Sequence, residues 1–228
     1  MEAPSRHPVI LLVSGGIDSY VAWHYLGKPT TLYFRAHHRY MDEELAAIMR
    51  LIPDTIMDDS LNLADREVGV NAYIPFRNLL FALQAVRYSD SVCIAGLKDD
   101  VVEDKNEQVF HQWSELMSAM MGRAIRVFSP FWGMCKHEVV AWYKENVGNV
   151  SKLAGDCVSC YTPGSFYCGK CPACFRKWCA LCSNGYTSLG FHNRQLAVQY
   201  YERALEGEYQ TERNKNIISC VETLILKK

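Results

Sequence analysis

The segment Val9-Ile-Leu-Leu-Val-Ser-Gly-Gly-Ile-Asp-Ser19 constrains the fold of this chain more than any other stretch. Five aliphatic residues read as a strand buried on both faces. They run directly into a Ser-Gly-Gly-x-Asp-Ser turn that opens an apolar helical pattern. Gly15 and Gly16 let the backbone turn tightly and approach an anion without a Cβ in the way. The helix that follows points its unpaired N–H groups at that anion. Ser14 and Ser19 add hydroxyl donors. The turn therefore reads as a pyrophosphate cradle, with Ser14, Gly15, Gly16, Ile17, Asp18 and Ser19 as its nucleotide-binding residues. An ordinary Ser/Gly connection is the competing reading, and the aliphatic strand, both serines and Asp18 together weigh against it. The Gly-x-x-x-x-Gly-Lys-Ser/Thr spacing with its phosphate-binding lysine is absent, which argues against a kinase or a motor ATPase.

The rest of the chain alternates in the same way. Strand patterns fall at 9–13, 30–34, 91–95 and 124–128, and helical patterns at 18–26, 41–51, 76–88, 109–121 and 136–145. The acidic trio Asp42-Glu43-Glu44 sits in the first turn of its helix, where the dipole favours anions. Strands separated by helices predict an α/β fold, a parallel sheet with helices on both faces whose ligand crevice lies beyond the carboxyl ends of the strands. Near Val150 the composition becomes rich in Cys, Gly and Pro, and a plain helical pattern returns at 195–205. The expected division is a nucleotide-binding α/β domain at 1–150 and a cysteine-rich, C-terminal helical region at 151–228.

Composition narrows the function classes. With 49% hydrophobic and 21% charged residues the chain is an ordinary globular protein, not a disordered one. A net charge of −1 supplies no basic field for a nucleic-acid backbone, so stable nucleic-acid binding is not expected. No apolar window is long enough to cross a bilayer, and the segment 1–7 lacks the layout of a signal peptide, so a cytoplasmic location without membrane association is expected.

In such a reducing compartment, the cysteines crowded between Cys157 and Cys182 read as metal ligands rather than disulfides. The spacing Cys160-x7-Cys168-x2-Cys171-x2-Cys174 supplies four thiolates for one tetrahedral ion. Zinc in a structural site with no open position fits them. Quartets drawing on Cys157, Cys179 or Cys182 remain open at this point, as does an iron–sulfur cluster. Cys93, Cys135 and Cys220 read as small buried hydrophobes. Adjacent His37 and His38, placed on a strand, would face opposite ways and share no ion.

The Ser14–Ser19 turn resembles the PP-loop of ATP pyrophosphatases, which implies an adenine-nucleotide α-hydrolase-like sheet with a small C-terminal zinc-binding helical appendage. Together with Pro75-Phe-Arg-Asn-Leu79, Gly96, Ser129-Pro130 followed by Lys136, and Ser159-Cys-Tyr161 with Cys168, Cys171 and Cys174, it resembles the 7-cyano-7-deazaguanine synthase family of queuosine biosynthesis. The resemblance implies an ATP-dependent ligase that uses Mg²⁺ and Zn²⁺, adenylates a 7-deazaguanine-type acid and converts it with ammonia to the nitrile, as a homodimer. It implies Asp18, Ser19, Arg77 and Lys98 as catalytic residues, and Asn78 beside the turn as a nucleotide-binding one. Asn78 serves equally well as a packing or capping residue, and Lys98-Asp99-Asp100 as a charged surface loop. The family's Tyr-Gly-Gln-x-His stretch is absent, Phe34-Arg-Ala-His-His-Arg39 standing in its place, and its Tyr-Pro-Asp-Cys-Arg segment is replaced by Glu103–Phe110. There Asp104 and Asn106 read either as contacts to a guanine-like edge or as a helix cap. A tRNA-thiolating enzyme and a non-catalytic nucleotide-binding subunit are the alternative functions.

Overall fold

The structure, a computed structural model, describes residues 8–68, 73–160 and 162–226. The 1–7 segment and Tyr161 of the Ser-Cys-Tyr motif lie outside the described residues. The elements are β1 (Ile10–Leu12), α1 (Ile17–Tyr25), β2 (Thr30–Phe34), α2 (Met41–Leu51), β3 (Ile56–Asp58), α3 (Arg77–Ala85), β4 (Ser91–Ile94), α4 (Glu107–Met121), β5 (Arg126–Phe128) and α5 (Lys136–Asn146). They are followed by α6 (Val150–Gly155), α7 (Pro172–Cys182), α8 (Arg194–Leu205) and α9 (Thr211–Val221).

The five strands pair in parallel in the order β3-β2-β1-β4-β5, with Leu11 opposite Thr31 on one side and Cys93 on the other. The chain steps outward from β1 to β3 and then crosses to the far side of β1. The topological switch point therefore falls between β1 and β4, where such sheets open a crevice.

Alternation along each strand sorts the apolar side chains onto two faces. Leu11, Val13, Tyr33 and Cys93 pack against α1, α2 and α5 through Val21, Ile48 and Val139. Ile10, Leu12, Leu32 and Val92 pack against α3 and α4 through Ala85, Phe110 and Trp113. With both faces covered, the central strand can be wholly apolar, as Ile10–Leu12 is. Each fully buried Leu or Ile contributes about 1.5–3 kcal/mol of transfer free energy.

Local chemistry ends the helices where it should. Asn106 caps α4 by accepting from Val109 N at 2.9 Å, and Gly122, at φ +62°, closes it in the left-handed region. Of the two readings of Asn106, the cap is the one the structure shows. The cysteine-rich stretch is more regular than its composition suggests. Cys171 stands at the N-cap of α7, its sulfur accepting from Cys174 N at 3.4 Å, with Pro172 at the first helical position. One face of α7 joins the first sheet core through Ala180 and Leu181. The other meets α8 and α9 through Phe175, Trp178 and Cys179. His37 and His38 lie past the end of β2, not on it, with His37 at φ +57° and His38 buried.

Candidate active site

The Ser14–Ser19 turn leaves β1 at the switch point and enters α1, whose N-terminus no side chain caps. Its first-turn N–H groups are therefore free for a ligand. Gly15 sits at φ +67°, and a Cβ there would stand 2.7 Å from Ala47 Cβ and 2.9 Å from the Glu44 carbonyl. Glycine is required at 15 because α2 packs flush against the turn. Gly16 is different: at φ −83°, its Cβ would make only ordinary contacts at 3.5 Å or more. Ile17 is buried in the first core and can offer a ligand only its backbone. Ser19 Oγ accepts from Ser14 N at 3.3 Å and donates to the Gly16 carbonyl at 3.2 Å. Its proton is engaged within the turn, so it braces the loop instead of supplying the outward donor expected of it.

The turn borders a cavity of about 650 Å³. Ser14, Gly16, Ile17, Asp18 and Ser19 line it, together with Arg77, Asn78, Asp100, Asp104, Lys105, Lys136 and Arg176. Lys136, the first residue of α5, donates from Nζ to Asp18 Oδ1 at 2.7 Å. Asp100 receives Lys105 at 2.9 Å and Arg176 at 2.7 Å, while Arg176 also reaches Asp99 at 2.9 Å. Burial works against the Asp100 charge, but Lys105 and Arg176 outweigh it and hold this carboxyl well below the usual carboxylate range. Asp99 and Asp100 are thus buried anchors, not the surface loop their sequence allowed. Among the described residues lining the cavity, Arg77 is the cation without a side-chain hydrogen bond or carboxylate partner. Asn78 donates to Asp104 Oδ1 at 3.2 Å. Lys98 is not part of this wall: its Nζ pairs with Glu212 of α9 at 3.0 Å.

The opposite wall belongs to the cysteine segment. Val158 N donates to the Gly15 carbonyl at 2.9 Å, and Val158, Ser159 and Cys160 line the cavity. The sulfurs of Cys160, Cys168, Cys171 and Cys174 all lie within 4.8 Å of one another, with Cys168 and Cys174 3.9 Å apart. A tetrahedral zinc with Zn–S near 2.3 Å places its sulfurs about 3.8 Å apart, a spacing to which the cage is close. The rival cysteines stand outside it. Burial pushes the Cys157 and Cys182 thiols up to about 12. Ser159 Oγ and Arg176 Nε, on two residues that line the cavity, are buried without hydrogen-bond partners among the described residues.

Lys136 and Ser159 carry a signal in the sequence only as pieces of the family resemblance, and Arg176 and Lys105 carry none as site residues. Pairings such as Lys136 with Asp18, 118 residues apart, carry no local signal. Arg176 stands two residues beyond the last cage cysteine, in a segment whose spacing reads as metal ligands and not as a helix.

The family model of the queuosine biosynthesis protein QueC matches residues 35–185. A 7-cyano-7-deazaguanine synthase of Sulfolobus acidocaldarius is 23% identical, the match covering 81% of this chain and 48% of that protein. A 7-cyano-7-deazaguanine synthase 2 of Sulfurisphaera tokodaii is 27% identical over 78% of this chain and 46% of its own length. A 7-cyano-7-deazaguanine synthase of Saccharolobus solfataricus is 25% identical over 81% and 47%. The chain thus spans about half the length of these curated relatives.

Proposed function

Since the chain belongs to the family of the queuosine biosynthesis protein QueC, we propose that it is an ATP-dependent carbon–nitrogen ligase that converts a 7-carboxy-7-deazaguanine-type acid to the nitrile. The observation that carries this reading is the cavity itself. An uncapped helix N-terminus, the Asp18–Lys136 pair and the uncommitted Arg77 open onto one space.

The chemistry balances over two ATP. A carboxylate oxygen attacks the α-phosphorus, pyrophosphate leaves, and ammonia displaces AMP to give the amide and a proton. The amide oxygen is adenylated in turn, and loss of AMP together with the N–H protons leaves the nitrile. Mg²⁺ would supply charge neutralisation at the phosphates, held by Asp18. The chain's own task is positioning and electrostatics. The α1 N–H groups and Ser14 receive the pyrophosphate, and Lys136, 2.7 Å from Asp18 Oδ1, keeps that carboxylate aimed. Arg77 takes up negative charge on the acid or the α-phosphate, with Asn78 fixed beside it. Lys98 acts on this reading only through its grip on α9.

The cage is proposed to hold structural zinc, since its four thiolates leave no open position and it braces a cavity wall. Metal analysis showing zinc, with no visible absorbance from iron–sulfur charge transfer, is the expected result. Among the described residues no helix is long and apolar enough to cross a membrane. A cytoplasmic homodimer without stable nucleic-acid binding completes the proposal, and light scattering checks the dimer. Mass-spectrometric product analysis with ATP, Mg²⁺, ammonium and 7-carboxy-7-deazaguanine tests the reaction. The nitrile with AMP is expected, whereas intact ATP in every mixture would leave a non-catalytic binding subunit.

A further inference from the structure

Lysine is rarely buried completely unless it is paired, and Lys177 is 0% exposed. It stands on α7, a helix fixed between two apolar cores through Ala180 and Leu181 on one face and Phe175 and Trp178 on the other. Its Nζ donates to a carbonyl, that of Cys157, at 2.6 Å and lies 5.8 Å from the centroid of the Tyr167 ring. That carbonyl and the Val158 N–H belong to one peptide unit. A peptide unit is planar, and among the described residues none is cis, so its C=O and N–H point in opposite directions. Lys177 therefore holds one edge of the plate, while the other edge donates from Val158 N to the Gly15 carbonyl at 2.9 Å. The pattern repeats in the next unit. The Gly15 carbonyl and the Gly16 N–H share a second plate, so fixing the carbonyl directs that N–H the opposite way. Gly16 lines the cavity, and its N–H has no acceptor among the described residues. A hydrogen bond accepted at the C=O of a unit also polarises its N–H, so the two bonds reinforce each other.

We propose that Lys177 is a positioning residue for the phosphate loop: through these two peptide units it fixes the direction of the Gly16 N–H and so sets the affinity of the loop for pyrophosphate. The linkage is geometric, and its ligand rests on the ligase reading. Lys177 is not among the residues that line the cavity and touches no reacting atom. It acts from behind the wall, carrying the fixed position of α7 across to a loop 162 residues earlier in the chain. The cage holds the start of that helix through Cys171 and Cys174, so the sulfurs and Lys177 brace the same wall at different points.

Calorimetric binding to the full chain tests this without requiring turnover. The probes are inorganic pyrophosphate with Mg²⁺ and adenosine, which carries no phosphate. Lys177→Met keeps the apolar stem and removes the donor, and Lys177→Gln keeps an N–H donor of shorter reach. Lys177→Met should weaken pyrophosphate about tenfold, with adenosine affinity and metal content unchanged, and Lys177→Gln should fall between it and the native chain. General loosening of the fold would weaken both ligands. Amide exchange followed by NMR adds a reading on the native chain: pyrophosphate should slow exchange of the Val158 N–H, as the reciprocity of linked equilibria requires, and adenosine should not. Unchanged pyrophosphate affinity in Lys177→Met, equal losses for both ligands, or a Val158 amide indifferent to pyrophosphate overturns the proposal. Nitrile formation with Lys177-independent pyrophosphate binding removes the relay and leaves the ligase standing. Lys177-dependent pyrophosphate binding without AMP formation does the reverse.

Discussion

The loop wall and the cysteine wall of the cavity face the same ligand space but are secured by different means. The loop of residues 14–19 continues β1, which is paired on both sides, and Gly15 wedges it against α2. Among the described residues, the wall formed by 158–160 and 162–176 has no strand behind it. It is held by the Val158–Gly15 bond, by Arg176 on Asp99 and Asp100, by Lys177 Nζ on the Cys157 carbonyl at 2.6 Å, and by the four-sulfur cage. A sheet presents its half of a site whether or not anything is bound, while the second half depends on a few charge pairs and on a cage that could hold an ion. Loss of the ion should therefore spoil the cavity before it unfolds the sheet.

Cys171→Ser presses hardest on that difference. It should release the metal and take from the cysteine wall a binding free energy on the order of 10 kcal/mol. Hydrogen exchange should then show lost protection at 157–182 with β1, β2 and β4 still protected. Metal content unchanged from the native chain would mean that another quartet holds the ion. Gly15→Ala attacks the other wall, combining left-handed strain with a clash against α2. It should lower unfolding free energy by about 2–4 kcal/mol in urea titration.

Acid distinguishes the walls more gently. The Asp100 carboxyl is depressed in the folded chain, so its contribution is complete above the unfolded carboxylate value near pH 4 and is lost as the pH falls from there toward the folded value. Asp100→Asn should flatten the acid limb of the stability curve, and an unaltered limb would remove the Arg176 anchor from the account. Asp18→Asn should change stability least, by less than about 1 kcal/mol, because the pair with Lys136 is partly solvated. It should nevertheless cut AMP formation at least about a hundredfold. Full activity in this variant would separate the loop from the chemistry.

What was legible in the sequence follows from the range of the forces involved. The βα turn, the parallel sheet and the helices at 41–51 and 109–121 are written in local periodicity and turn chemistry, and the structure carries them. The strand Ile56–Asp58 escapes a periodicity reading because three residues, two partly buried and the third a buried aspartate, offer no period to detect. The helix Pro172–Cys182 was hidden because cysteines and aromatics on both of its faces blur the apolar stripe. The cage was readable as a spacing, but choosing Cys160 over Cys157 required the fold. Asp18 with Lys136, Arg176 with Asp99 and Asp100, and Lys98 with Glu212 are meetings of distant segments. No single stretch of chain encodes them.

Oxygen transfer tests the central claim most directly. The chain would be incubated with ATP, Mg²⁺, ammonium and 7-carboxy-7-deazaguanine labelled with ¹⁸O in its carboxylate, and the AMP analysed by mass spectrometry. Adenylation by the carboxylate predicts AMP that has acquired one ¹⁸O from the acid. Unlabelled AMP, or none, would contradict it.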